Sequence, residues 1–260
     1  MTNNRINKLF REKKENILSI YFTAGYPNID DTIEIILSLD KAGVDLIEIG
    51  IPFSDPLADG QVIQNSSQKA IENGMTLKLL LKQLEYIRTK TQIPIILMGY
   101  LNPILQYGEN EFCKKCFEIG VDGLIIPDLP LKYYQKNYQT LFEKNKLINI
   151  QLITPQTSSE RMLEIDNQSN GFIYVVSNNS ITGVNKPLEY QENYFNRINQ
   201  LNFKTPTLIG FGIHDHESFL FASNYSNGAI IGSAFIKEIS NSKNTSLDSK
   251  IKKFIQNIIS

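Results

Sequence analysis

Cysteine is scarce in this sequence, with two in 260 residues, and the scarcity rules out a disulfide-stapled scaffold. The pair, Cys113 and Cys116, has Cys-Lys-Lys-Cys spacing. No second cysteine pair or nearby histidine completes a zinc site, and both thiols share a helical stripe with Phe112 and Phe117. They read as buried structural thiols, so no metal and no cofactor is expected. Histidine is equally rare: His214 and His216 stand at an expected helix start and read as surface residues, not catalysts. Apolar runs long enough to cross a bilayer, about 20 residues, are missing, and Met1-Thr-Asn-Asn-Arg has no signal-peptide apolar region. A soluble, cytoplasmic protein is the expectation. Charge of one sign is also missing: 26 basic against 27 acidic residues leave a net charge of −1, with no footprint for nucleic acid or an anionic membrane. An anionic substrate has to be held locally.

What the chain does have is apolar residues, 42 % of the total, in short runs that alternate with helical patterns. One domain over residues 1–260 follows from the length and the core those residues can build. Ile6, Leu9 and Phe10 predict a short amphipathic helix ahead of the first strand, placed to plug one end of a barrel. Strands are predicted at Ile17–Thr23, around Glu48, and at Ile93–Met98, Gly123–Ile126, Asn149–Ile153, Phe172–Val176, Thr207–Gly210 and Ala229–Ile231. Helices follow, among them one through Leu77, Leu80, Leu81, Leu84 and Ile87. Another is expected to open on a capping box at Thr157-Ser-Ser-Glu160, and a last one runs from Leu247 to Ile258. Eight apolar strands alternating with helices predict a (β/α)8 TIM barrel with an extra N-terminal helix. The alternative, an open doubly wound sheet, has no glycine-rich dinucleotide turn after strand one to support it. An internal echo fits the barrel: Gly43-Val-Asp-Leu-Ile-Glu-Ile-Gly50 and Gly120-Val-Asp-Gly-Leu-Ile-Ile-Pro127 lie 77 residues apart.

The stretch around strand two carries the chemistry. Glu48 lies near the C-terminal end of an apolar strand, where a charge is costly unless it works or is paired. Asp59 follows in a loop broken by Pro52, Pro56 and Gly60, which can aim a side chain back over the strand end. Two carboxylates of different mobility suit acid and base roles, although a strand-end Glu can equally cap a helix or pair with a lysine. In a barrel of this kind the loops after strands seven and eight commonly grip phosphate. Here these are Gly210-Phe-Gly212 and Gly232-Ser233, with Ser180-Ile-Thr-Gly183 after strand six, and Ser233 is placed to open a helix. Ordinary turns would look the same. Tyr21, Ile63, Met98, Ile125 and Tyr174 are placed at or near strand ends, where they line an apolar pocket or simply fill the core.

Ile49-Gly-Ile-Pro-Phe-Ser-Asp-Pro-Leu-Ala-Asp59-Gly60 is the most specific motif, and with it the chain resembles the tryptophan synthase alpha chain family over nearly its full length. Phe22-Thr-Ala-Gly-Tyr-Pro27, Asn102-Pro-Ile, Gln106-Tyr-Gly108, Gly123-Leu-Ile-Ile-Pro-Asp128, Gly210-Phe-Gly-Ile213 and Ile231-Gly-Ser-Ala234 support it. The resemblance implies retro-aldol cleavage of indole-3-glycerol phosphate to indole and glyceraldehyde 3-phosphate. It also implies a beta-chain partner in an α2β2 complex that receives the indole. By motif, Glu48 is implied as the acid/base at indole C3 and the glycerol hydroxyl, and Asp59 as the acceptor for the indole N–H. Gly183, Phe211, Gly212, Gly232 and Ser233 correspond to the phosphate site. Tyr21, Ile63, Met98, Ile125, Tyr174 and Thr182 correspond to the indole pocket, and Pro52, Asp55 and Pro56 to part of the face toward the beta chain. On this reading Glu48 titrates upward and Asp59 stays ionised.

Two departures stand out. Ser177-Asn-Asn-Ser-Ile-Thr-Gly183 lacks the Arg and first Gly of the family's usual Ser-Arg-x-Gly-Val-Thr-Gly, which puts loop closure and coupling in question. Gln61 replaces the usual Pro after Ala-Asp-Gly, loosening the loop that carries Asp59. The alternatives are another phosphate-binding barrel isomerase, for which no other acid/base pair is visible, and a non-catalytic subunit that only activates a beta chain.

Overall fold

Eight short strands run parallel and close on themselves in sequence order, each bonded to its neighbours and β8 to β1. The structure, a computed structural model, describes residues 4–56, 59–177, 191–240 and 246–260. The strands are β1 (Ile17–Thr23), β2 (Leu46–Gly50), β3 (Ile95–Met98), β4 (Gly123–Ile125), β5 (Ile148–Ile153), β6 (Ile173–Val176), β7 (Thr207–Gly210) and β8 (Gly228–Ile231). Alternation sorts their side chains. Ile17, Leu46, Ile96, Ile125, Ile150, Tyr174, Leu208 and Ile230 fill the barrel, while residues of opposite parity such as Ile20, Ile47, Leu97 and Ile209 meet the helices.

The N-terminal helix α1 (Arg5–Glu12) closes the bottom, as expected. Its Ile6 and Phe10 join the inner core, with the Phe10 ring 5.6 Å from that of Phe172. Asn4 caps the helix by accepting the Ile6 N–H and fixes it to the barrel by donating to the carbonyls of Asp122 and Lys146. The internal echo has a structural meaning. Gly43 and Gly120 follow α2 (Asp31–Lys41) and α6 (Glu109–Ile119) at φ of 89° and 85°. Two residues on, each aspartate then accepts a backbone N–H from the start of the preceding strand, Asp45 from Leu18 and Asp122 from Ile95.

The remaining differences are local. Helix α3 (Gln61–Glu72) is polar enough that its periodicity does not stand out, and Ile63, expected near a strand end, belongs to its first turn. Gln61 is the first residue of α3, a position where proline also fits, and its side chain bonds Asn65 instead. The helix expected through Ile87 breaks into α4 (Leu77–Gln83) and a 3-10 segment (Leu84–Thr89), because Tyr86 leaves helical geometry. Helix α9 (Ser159–Gln168) is capped by Ser158, and Thr157 instead accepts the Thr154 N–H within the preceding turn. The capping box at Thr157 therefore does not form. On α6, Cys113 and Cys116 are fully buried free thiols, whereas Phe117 is half exposed beneath the Lys146 ammonium.

Candidate active site

Strand β2 is apolar except at Glu48, which parity points into the barrel, and its carboxyl is fully buried. Oε1 accepts a hydrogen bond from the Ser19 hydroxyl at 2.8 Å, and Oε2 has no partner among the described residues. Burial outweighs the Ser19 bond and pushes the pKa up to about 8. The carboxyl is thus largely protonated at neutral pH.

Asp59 sits in the loop between β2 and α3, half-buried, with Oδ2 3.3 Å from the Tyr100 hydroxyl that donates to it. The loop is held on the helix side by Gln64, whose amide donates to the Asp59 carbonyl. Burial raises the Asp59 pKa to about 6, opposed by the Tyr100 bond. It is mostly ionised only above that pH, because its pKa lies well above the ordinary carboxylate range. Tyr100 and Ser19, the two partners, were not singled out from the sequence. Each is bonded across strands or loops distant in the chain, a relation that no local spacing signals.

Tyr21 and Tyr174 face both carboxylates. Burial, then the charges of Asp59 and Glu48, raises the Tyr21 pKa; burial, then Glu48 and Asp59, raises that of Tyr174, so both hydroxyls stay neutral. Two glycines make room for them. A β-carbon at Gly50 would overlap the Tyr21 hydroxyl, and one at Gly210 the Tyr174 hydroxyl. Tyr21, Met98 and Asp59 share a narrow cleft with Phe53, Pro56, Tyr100 and Pro127, while Ile125 and Tyr174 lie below it in the inner core. Ile63 is buried in the outer core on α3 and lines neither.

The turns after the last two strands open beside this cleft. Phe211, at φ 70°, crosses the Tyr174 ring edge-on at 6.2 Å, and Gly212 follows at φ 82°. Ser177, directly after β6, ties the turn down by donating to the carbonyls of Gly210 and Phe211. Gly232 packs on the Tyr21 ring, and Ser233 opens α12 (Ser233–Ser240), whose N-terminal amides face the same end of the barrel. Gly183 and Thr182, expected in the phosphate site and the pocket, lie outside the described residues, as does the departure at residues 178–183. His214 is exposed; His216 is the first residue of α11 (His216–Ser223), half-buried, with Nδ1 bonded to the Ile258 carbonyl. Neither approaches the carboxylates by any bond. Among the described residues no three His, Cys, Asp or Glu side chains gather as metal ligands.

A closed parallel barrel with two upshifted carboxyls and amide-rich turns at the C-terminal ends of its strands defines an enzyme of the (β/α)8-barrel class. The chain belongs to the tryptophan synthase alpha chain family, whose model matches residues 7–258. It is 58 % identical over 256 residues to the tryptophan synthase alpha chain of Flavobacterium psychrophilum, covering 98 % of this chain and 99 % of that one. The crystal structure of tryptophan synthase subunit alpha from Legionella pneumophila superposes with a TM-score of 0.88 at 33 % identity, covering 99 % and 98 % of the two chains. A mutant tryptophan synthase alpha-subunit from Pyrococcus furiosus gives 0.85 at 31 % identity, covering 95 % and 99 %.

Proposed function

We propose that the chain, working as one barrel domain, cleaves indole-3-glycerol phosphate to indole and glyceraldehyde 3-phosphate, with Glu48 and Asp59 dividing the proton chemistry. The observation that carries the division is the difference in surroundings: Glu48 is fully buried with only the Ser19 bond, which pushes its pKa up to about 8, whereas Asp59 is half-buried and bonded by Tyr100, which leaves it at about 6. Between those values one carboxyl is protonated and the other ionised. Glu48 gives its proton to indole C3, which makes the bond from C3 to the glycerol chain breakable. The electrons of that bond return to the ring as the glycerol hydroxyl loses its proton to Glu48 and becomes the aldehyde. Asp59 accepts the indole N–H and balances the positive charge that the ring carries between those events.

The apolar ring lies against Tyr21, Met98, Ile125 and Tyr174, with Ile63 acting only as backing from α3. The phosphate takes the amides of Phe211, Gly212, Gly232 and Ser233, together with Gly183. Among the described residues of this site none is a Lys or Arg, so their part of the grip rests on backbone N–H groups and the α12 dipole. A beta chain is the partner, in an α2β2 assembly, and Pro52, Asp55 and Pro56 form part of the face it meets. Asp55 is exposed, which suits an ion pair across such a face. No described helix is long and apolar enough to cross a membrane, and a cytoplasmic site accords with the biosynthetic role.

The test is release of indole from indole-3-glycerol phosphate by the purified chain, alone and with a cognate beta chain. Because the substrate carries the same ring, released indole is first extracted into an organic solvent, away from the phosphorylated substrate, and quantified there. Release accelerated by the beta chain is expected. No release under either condition would overturn the lyase reading and point to a non-catalytic subunit that activates a beta chain.

A further inference from the structure

The hydroxyl of Ser19 occupies a position that packing alone would give to an aliphatic side chain. Strand β1 turns Ile17, Ser19 and Tyr21 inward, and both flanking residues belong to the inner apolar core. Ser19 is registered against Leu46 on one side and Ile230 on the other, both apolar and both buried. A buried hydroxyl in such surroundings is unfavourable unless it is bonded. Its side-chain hydrogen bond goes to Glu48 Oε1, at 2.8 Å, with both residues fully buried. The other carboxyl oxygen, Oε2, is buried without a partner among the described residues.

We propose that Ser19 is a positioning residue for Glu48: its hydroxyl holds Oε1, fixes the plane of the carboxyl and leaves Oε2 as the oxygen that carries the transferable proton. The inference rests on the reading of Glu48 as the catalytic acid. When Oε2 gives up its proton, the negative charge formed on the carboxylate meets a donor already in place, and a charge-assisted bond is stronger than a neutral one. When the proton returns, the same bond weakens but keeps the carboxyl aimed. Ser19 loses no proton in the cycle. The titratable groups around Glu48 are Tyr21 from β1 and Tyr174 from β6, both of which feel its charge and that of Asp59 from the loop after β2; its β3 neighbour in register, Ile96, is apolar. Ser19 donates to the carboxyl and so favours its ionised form, against the larger effect of burial.

The experiment compares wild type, Ser19→Ala and Ser19→Thr in the full chain, with circular dichroism to confirm folding. The pH profile of kcat is measured, and the Glu48 carboxyl is titrated by difference infrared spectroscopy with Glu48→Gln as the blank. Ser19→Ala removes one buried oxygen atom. It is expected to move both the profile and the infrared titration upward by about one pH unit, and to lower kcat roughly tenfold while KM stays within about twofold. Ser19→Thr keeps the donor and is expected to return both toward wild type. An infrared titration that does not move in Ser19→Ala overturns the proposal whatever happens to the rate. If the infrared titration moves and the kinetic profile stays, Glu48 is not the group the reaction reads, and the proposal falls with that assignment.

Discussion

Replacing Glu48 by Gln is expected to abolish turnover and to stabilise the chain in a pH-dependent way, because the carboxyl is held where ionisation is unfavourable. Its pKa rises from the ordinary 4.5 to about 8. Below the ordinary value the carboxyl is protonated in folded and unfolded chains alike and contributes nothing to pH dependence. As pH climbs between the two values the unfolded chain releases a proton that the folded chain retains, so stability falls. Above the folded value the loss is complete, about 5 kcal/mol at about 1.4 kcal/mol per pH unit. Gln has nearly the same volume and still accepts the Ser19 bond, but it places an unpaired amide where Oε2 stood, at a cost of about 1–3 kcal/mol. Near pH 5 the variant is therefore no more stable than wild type. Near pH 8.5 it gains on wild type by about 4 kcal/mol relative to that starting point. Asp59 is common to both proteins, so its own titration cancels to first order. Urea unfolding followed by far-ultraviolet circular dichroism at several pH values gives the difference directly. Activity is expected to fall by about 10²–10⁴-fold or more through loss of the proton donor. A stability difference that stays flat from about pH 5 to about pH 8.5 would show that Glu48 titrates as an ordinary carboxylate and would refute the burial argument.

Two other substitutions probe the rest of the mouth. Ser233→Asp places a negative charge at the first residue of α12, where a helix N-terminus favours an acidic side chain, so folding should hold while KM for the phosphorylated substrate rises at least about tenfold. Unchanged KM would move the phosphate elsewhere. Gly210→Ala drives a β-carbon into the Tyr174 hydroxyl and should displace that ring from the inner core, raising KM by about tenfold and lowering the thermal midpoint. Adding Tyr174→Phe should recover part of the stability by removing the overlapping oxygen. If the single variant melts like wild type, the close approach of ring and backbone is wrong.

The barrel was legible in the chain because its strands, covered on both faces, are written as continuous apolar runs, and because Gly-Val-Asp recurs at the same point of two βα units. Element types held where the periodicity was strong and slipped where it was weak: α3 is mostly polar, and Tyr86 breaks a helix whose leucine pattern runs on through Ile87. The two carboxylates could be found because a charge in an apolar strand and an acid in a proline-broken loop are conspicuous. Their partners could not. Ser19 and Tyr100 meet Glu48 and Asp59 only because the parallel pairing of β1 with β2 and of β2 with β3 brings 29 and 41 residues of separation down to a hydrogen bond. The sequence by itself determined which groups are present and which strand or turn holds each one. Only the tertiary structure decided their protonation, since a pKa of about 8 or about 6 comes from the water that packing excludes and the donors that other strands supply.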